Sequence, residues 1–201
     1  MYQQLPSFVL GFHGCDRETG EAVLAGDALA PSTNDYDWLG EGIYFWENSP
    51  HRALSYAEHM KRRANRTRGR ISDPFVIGAV IDLGLCLNIS DEDALLELES
   101  AYMLLAATAD QLPQNVPGFS GDDDLLKRHL DCAVFQTLHE GRAQLTEPAY
   151  QSVRSPFLEG SALYPGTRFC KQTHVQLCIR DRACVKGYFR PLSSDGGLFQ
   201  T

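Results

Sequence analysis

The chain has 201 residues, of which 43% are hydrophobic and 22% are charged, and its net charge is −8 at pH 7. This length fits one domain, and the composition is that of an ordinary globular protein. No apolar stretch reaches membrane-spanning length, and the start, MYQQLPSFVL, lacks the pattern of a signal peptide, so we expect a cytoplasmic protein without membrane contact. The acidity argues against a general nucleic-acid binder, although it leaves room for a local nucleic-acid site.

The first half of the chain alternates short strands and helices. Ser49 is a plausible N-cap for the second helix, with Pro50 at its first position. Gly26 is expected to stop the first helix. In chain order, the predicted elements are a strand in SFVLGFHG, a helix in TGEAVLAGD, a strand in GIYFWE, a helix in SPHRALSYAEHMKRRA, and one buried strand with a continuation in PFVIGAVIDLGLCLNI.

The second half begins with helices and ends with strands. Two amphipathic helices, DEDALLELESAYMLLAATAD and DDLLKRHLDCAVFQTLHEG, form a helical middle segment over residues 91–140, the second of them ending at Gly141. Three strand-like segments follow in AYQSVRSPFLEG, HVQLCIR and ACVKGYFRP, and residues 193–201 are expected to form a flexible tail. The pattern predicts a single α+β domain over residues 1–201.

The six cysteines form no CxxC pair and mostly stand among apolar residues, which favours reduced, buried thiols over disulfides or a zinc site. No histidine pair has metal-ligand spacing, so we expect no metal. The basic run KRRANRTRGR at 61–70 contains no carboxylate. A solvated helix end or a mobile loop is the favoured interpretation of this run, ahead of a patch for an anionic partner.

Three short motifs carry the chemistry: FHG at the end of the first strand, GEGIYF, and HVQLCIRD. Together they resemble the diphtheria-toxin-like ADP-ribosyltransferases, and most nearly the catalytic domain of the poly(ADP-ribose) polymerases. In that family a His-Gly strand precedes a Gly-x-Gly-Ile-Tyr-Phe strand, a helix carrying a second tyrosine follows, and a third catalytic-position residue opens a late strand. The resemblance is specific over residues 8–57, weaker over 170–190 and absent over the helical middle segment.

The resemblance implies a split mixed or antiparallel sheet with flanking helices, and NAD as co-substrate without a metal. His13 would then bond a ribose hydroxyl, while Gly14 would bring its backbone to the carboxamide of the nicotinamide, with Gly42 of the second motif also at the cofactor. Tyr44 would stack on the nicotinamide ring and Tyr56 would lie near the opposite face, one residue later than the usual spacing. Two neighbouring tryptophans, Trp38 and Trp46, are expected to pack or to line the rim.

The third motif departs from the commoner family pattern because Gln176 stands where many active members carry glutamate. Glutamine can bond a ribose hydroxyl but carries no charge and takes no proton. This H-Y-Q variant of the H-Y-E triad implies transfer of a single unit rather than chain formation. Glu159, before the loop that leads to Gln176, is a candidate for the missing carboxylate, and His174 is a weaker alternative to Gln176.

The resemblance therefore favours an NAD-dependent mono-ADP-ribosyltransferase acting as a toxin, effector or defence protein, with delivery to a target cell and an inhibitor or antitoxin partner compatible with that role. The alternative is an inactive module of the same fold that binds NAD, ADP-ribose or nucleic acid. A third interpretation is NAD hydrolysis with water as acceptor. Taken alone, His13, Tyr44 and Tyr56 are ordinary core residues and Gln176 a surface glutamine. The acceptor stays open among protein, nucleic acid and a small molecule.

Overall fold

A computed structural model describes residues 8–62, 71–117, 127–193 and 195–199. Within these ranges the chain forms nine strands and four α-helices. In chain order these are β1 Val9–Asp16, α1 Arg17–Leu24, β2 Ile43–Glu47, α2 Pro50–Arg62, β3 Pro74–Ile81, β4 Cys86–Asn88, α3 Glu92–Thr108, β5 Asn115–Val116, β6 Lys127–Arg128, α4 His129–Gln144, β7 Ser152–Phe157, β8 His174–Ile179 and β9 Val185–Phe189, with a 3-10 turn at Arg182–Cys184 before β9.

Seven strands form one mixed sheet in the order β4-β7-β8-β2-β1-β3-β9, and β5 and β6 form a separate two-stranded ribbon. All neighbours in the large sheet are antiparallel except β4 and β7. Strand β1 pairs with β3 over eight residue pairs but with β2 over only two, in which Gly11 faces Glu47 and Phe12 faces Trp46. The two strands therefore diverge beyond Phe12, at the level of His13 and Gly14.

Local sequence accounts for the ends of the helices. The carboxylate of Asp16 accepts from the Glu18 backbone N–H at the start of α1, and Asp91 caps α3 in the same way. Helix α2 begins at Pro50, as predicted from its missing N–H. Gly26 follows α1 with a φ of +123°, a backbone conformation that favours glycine.

Two predicted boundaries were wrong. The run 74–89 is not one strand with a continuation, because β3 ends at Ile81 and a turn containing Gly84 (φ +57°) leads to β4, which pairs with β7 at the far edge of the sheet. Helix α4 begins at His129 and continues past Gly141 to Gln144, and a Cβ at Gly141 would meet nothing within 4 Å.

Two predictions fall partly outside the described residues. Of the basic run 61–70, only the first two residues are described, and they close α2; residues 63–70 lie outside the described ranges. In the tail, residues 194, 200 and 201 lie outside them, while Phe199 donates its backbone N–H to the Pro191 carbonyl at 2.9 Å and packs against a buried cluster.

The core lies on both faces of the large sheet. On the first face, Ile77, Phe45 and Leu177 are central to the largest cluster, which also takes in α1. On the second face, α2 packs through Ala53 against Phe12 and Trp46. The rest of that face is covered by α3 and α4, in a cluster that contains Leu39, Leu87, Ala94, Ala101, Val134, Phe135, Leu138, Val153 and Cys178.

All six cysteines are free thiols. Four of them are buried, as expected from their apolar neighbours, and Cys86 and Cys170 are half-buried. Within the described ranges no group of His, Cys, Asp or Glu side chains could hold a metal ion. In the same ranges, no helix is both long and apolar enough to cross a membrane.

Candidate functional site

The candidate site lies on the second face of the sheet, where the cover by α2 meets the cover by α3 and α4. Cross-strand register aligns Trp46 of β2 with Gln176 of β8, and Gln176 with Ser155 of β7. Directly paired residues share a face, so these three side chains form a row across the sheet. All three are buried, and Gln176 is only 9% exposed.

Next to this row, His174 lies beside a partly buried ion pair. Arg52 of α2 donates from Nη2 to Oε2 of Glu159 at 2.5 Å, and the two side chains are only 14% and 12% exposed. The His174 Nδ1 lies 3.7 Å from the same carboxylate oxygen. It lies closer, at 2.7 Å, to the Gln172 carbonyl, which can only accept, so Nδ1 carries the proton. Burial lowers the pKa of His174 to about 4, so its ring is neutral at pH 7 and its contact with Glu159 is not an ion pair there.

Four polar atoms in this cluster are buried without a hydrogen-bond partner among the described residues. They are the Gln176 Oε1, the His174 Nε2, the Trp46 Nε1 and the Arg52 Nε. The first two are acceptors, given the tautomer of His174, and the last two are donors. Unpaired buried polar groups are rare in folded proteins, because each has lost its hydrogen bonds to water without gaining a bond to protein, which costs free energy. A ligand with several hydroxyl groups, such as a ribose, would satisfy both kinds because a hydroxyl donates and accepts.

Aromatic rings line both sides of the polar cluster. Tyr56 of α2 packs on Trp46 with ring centroids 5.0 Å apart. On the other side, Trp38 meets Phe157 edge to face at 4.7 Å, and the Arg128 guanidinium lies 4.1 Å from the Trp38 ring centroid. Behind this second wall a cavity of about 430 Å³ extends between β7, α3 and α4. Such walls suit flat groups, which gain from stacking.

Tyr44 shares the face of Gln176 but uses its hydroxyl internally. The hydroxyl donates to the Gly40 carbonyl at 2.5 Å and accepts from the Leu39 backbone N–H at 3.0 Å. Burial raises the pKa of Tyr44 well above its usual value, so the hydroxyl stays protonated. The ring is half-buried against the cluster under α3 and α4, which leaves only part of it to meet a ligand.

His13 makes its described contacts with β2. Its ring packs edge to face on Phe45, which belongs to the core of the first face, and its Nδ1 donates to the Tyr44 carbonyl at 2.7 Å where β1 and β2 diverge. Burial lowers the pKa of His13, an effect that this backbone bond partly offsets. In its neutral form the ring offers Nε2 as an acceptor. The structure thus places Tyr44 and Gln176 on one face and the His13 ring against the core of the other.

The two predicted cofactor glycines meet protein atoms. A Cβ at Gly14 would lie 2.2 Å from the Ala53 carbonyl oxygen, and one at Gly42 would lie 2.4 Å from the Cys178 Sγ. Glycine is therefore required at position 14 for the close approach of α2 to β1, and at position 42 for the packing of β8.

Sequence reasoning missed Arg52, Ser155, Phe157 and Arg128. Arg52 lies in a helix with the charge pattern of a solvated face, and its partner Glu159 is 107 residues away in the sequence. Ser155 and Phe157 come beside Gln176 and His174 through the register of β7 against β8, which no motif in the sequence indicates.

No family model and no solved structure matches the chain. Over 55 residues the chain is 36% identical to an uncharacterized protein of Methanocaldococcus jannaschii, and this segment spans 27% of the chain and 25% of that protein. A similarity of this extent defines no family. A functional proposal therefore depends on the residues of the site and on their motifs.

Proposed function

We propose that the protein is an NAD-dependent mono-ADP-ribosyltransferase, which breaks the bond between nicotinamide and ribose and transfers ADP-ribose to an acceptor. The carrying observation is the unpartnered Oε1 of Gln176, buried between aromatic walls at the position of the third motif. The ribose hydroxyl groups supply donors for Oε1 and for Nε2 of His174. They also supply acceptors for the N–H groups of Trp46 and Arg52.

Two further features support an ADP-ribosyltransferase-like fold. The sheet is mixed, and β1 diverges from β2 beside His13, which is the local form that a split sheet would take. The motif residues Tyr44 and Gln176 share one face, with Tyr56 reaching the same groove from α2. The reaction develops positive charge on the ribose, as glycoside hydrolysis does, and the Glu159 carboxylate lies at the edge of this cluster, 3.7 Å from the His174 Nδ1.

The test measures nicotinamide released from NAD by the parent and by Gln176→Ala. We expect the variant to lose release by a factor on the order of 10²–10³ with little change in NAD affinity, because the bond counts mainly in the transition state. Gln136→Ala, at an exposed glutamine of α4, is the matched control and should behave as the parent. Equal release by the parent and Gln176→Ala would refute the role of Gln176.

Gln176→Glu separates turnover from simple binding. The charge that it adds beside a developing cation is worth more in a buried site than in water, so NAD cleavage should be kept or raised, with more leakage to water. If the parent binds NAD but neither protein releases nicotinamide with any cell extract, the protein is a binding module without turnover. Tyr44→Ala should weaken NAD binding. The His13 ring packs on Phe45 on the other face of the sheet, so His13→Ala should lower stability, and a loss of turnover without a loss of stability would place His13 at the site.

A further inference from the structure

A hairpin projects from the sheet beside the candidate site. It runs over residues 158–173 and joins β7, which carries Phe157, to β8, which begins at His174. Its base is held by the Arg52–Glu159 ion pair and by the Gln172 N–H, which donates to the Glu159 carbonyl at 2.9 Å. The hairpin therefore ends a few residues before Gln176, and a molecule bound along it lies next to the strand that carries Gln176.

The hairpin has internal order. The Lys171 N–H donates to the Ser161 carbonyl at 3.0 Å, and the Leu163 N–H donates to the Phe169 carbonyl at 2.9 Å. Ala162 and Cys170 pair as an antiparallel bridge. These backbone bonds order the backbone of the hairpin before any partner binds, which lowers the entropy cost of association.

The outer surface of the hairpin combines rings with positive charge. Four large apolar side chains are each 54–63% exposed: Leu158, Leu163, Tyr164 and Phe169. Arg168 and Lys171 are also exposed, and residues 160–173 contain no Asp or Glu, in a chain whose net charge is −8. On an acidic protein, a local positive patch attracts a polyanion, whereas the rest of the surface repels it.

We propose that this hairpin binds single-stranded nucleic acid and presents it to the site as the acceptor of ADP-ribose. Unpaired bases stack on exposed rings such as Tyr164 and Phe169, and backbone phosphates pair with Arg168 and Lys171. A duplex hides its bases in the stack and would lose the contacts to the rings. The inference rests on the proposed function for the chemistry, but the binding surface stands on its own.

The proposed transfer is a substitution at the ribose C1′. The bond from C1′ to the nicotinamide nitrogen breaks, and neutral nicotinamide leaves with the electron pair. An oxygen or nitrogen of the nucleotide donates the pair for the new bond and releases its proton to solvent.

Binding is measured by fluorescence anisotropy with a labelled DNA strand of about 12 nucleotides, the RNA of the same sequence, and the DNA duplex. We expect one of the strands to bind more tightly than the duplex. Tyr164→Ala and Phe169→Ala should each weaken it about tenfold. Arg168→Glu should weaken binding and lower the dependence on salt between about 50 and 200 mM. Lys186→Glu on β9, at the other edge of the sheet, and Leu145→Ala after α4 are matched controls that should bind as the parent.

Transfer is measured in a mixture of strand and cell protein with NAD labelled in its ADP-ribose part. Label released by nuclease and lost in Tyr164→Ala supports the proposal, while nicotinamide release to water stays at the parent's level in that variant. Label released only by protease, duplex bound as tightly as both strands, or unchanged strand binding by the hairpin variants would overturn it. A parent that releases no nicotinamide refutes the proposed activity, and the anisotropy comparison still decides whether the hairpin binds a strand.

Discussion

Two partly buried ion pairs lie on opposite faces of the sheet, and their hydrogen bonds differ. On the first face, Arg154 donates from Nε and Nη2 to the two carboxylate oxygens of Glu47 at 2.6 and 3.2 Å, and from Nη1 to Asn88 at 3.3 Å. On the second face, Arg52 donates from Nη2 to Glu159, and its Nε has no partner among the described residues. Each of the three guanidinium nitrogens of Arg154 therefore has a hydrogen-bond partner, whereas the Nε of Arg52 has none among the described residues.

The same difference extends to the neighbours of each pair. On the first face, the Ser152 hydroxyl is bonded to the Leu83 carbonyl at 2.6 Å inside an otherwise apolar core. On the second face, the Gln176 Oε1 and the His174 Nε2 stay open beside Arg52. A buried polar atom without a hydrogen bond destabilises the fold. A cluster of such polar atoms is therefore the expected sign of a site that a bound ligand completes.

The largest effect comes from breaking either ion pair. Arg154→Met and Arg52→Met should each lower the free energy of unfolding by about 3 kcal/mol, because each leaves a mostly buried carboxylate without its arginine. Saturating NAD should raise the melting temperature of Arg154→Met as much as that of the parent, since ligand binding stabilises the folded state. The melting temperature of Arg52→Met should rise less with NAD, because this variant lacks the donor at Nε.

Thermal melts of the three proteins with and without NAD make this comparison. The double variant Arg52→Met/Glu159→Leu is the control, and it should recover much of the lost stability while its response to NAD stays weak. A full response to NAD in Arg52→Met would show that the two pairs do not differ in function.

Lowering the pH should have a smaller effect on stability, because it favours protonation of the neutral His174. Burial holds its folded-state pKa at about 4, below the unfolded value of 6.5, so the unfolded chain takes up the proton first as the pH falls. The stability from this group is therefore full above pH 6.5, declines below it, and is lost completely below about pH 4. At pH 5 the loss is about 2 kcal/mol.

The comparison is between urea titrations of the parent and of His174→Phe at pH 7 and pH 5. The variant should lose less stability between the two pH values, by about 2 kcal/mol. Parallel losses in both proteins would assign the acid sensitivity to other groups, among them His139, whose pKa burial lowers to about 3.

The smallest of these effects concerns Tyr44, a residue of the second face whose polar atom is fully bonded. Tyr44→Phe leaves the buried Leu39 N–H without its acceptor and should cost about 1–2 kcal/mol in unfolding free energy. NAD affinity should change little, because stacking needs the ring and not the hydroxyl. Calorimetric titration beside a urea melt separates the two effects, and a large loss of affinity without loss of stability would place the hydroxyl at the ligand.

The order of strands and helices could be predicted wherever a short apolar alternation ended at a clear signal, as at β2 and at Pro50 of α2. The prediction failed at Gly84 and Gly141. A turn glycine inside an apolar run reads as part of a strand, and a helix tolerates an exposed glycine near its end. Sheet order was beyond reach, because β4 pairs with a strand that begins more than sixty residues later.

The site could be predicted only in part, because motif spacing reports residue types and not their partners. It singled out Gln176 and Tyr44, which the register places on one face, and Glu159, which lies at the edge of the same cluster. It could not show that the hydroxyl of Tyr44 bonds to Gly40, or that Gly14 accommodates the backbone of α2. Arg52 was missed because its role depends on a contact with a residue far away in the sequence.

Gln176→Met tests most directly whether the open polar atoms of the second face are kept for a ligand. Methionine preserves volume while removing the unpaired buried Oε1, so the free energy of unfolding should rise by about 1 kcal/mol. Nicotinamide release should fall to background, although NAD still binds. A urea melt and a release assay on the same preparation give both values. A variant that is less stable than the parent and still releases nicotinamide would contradict the account.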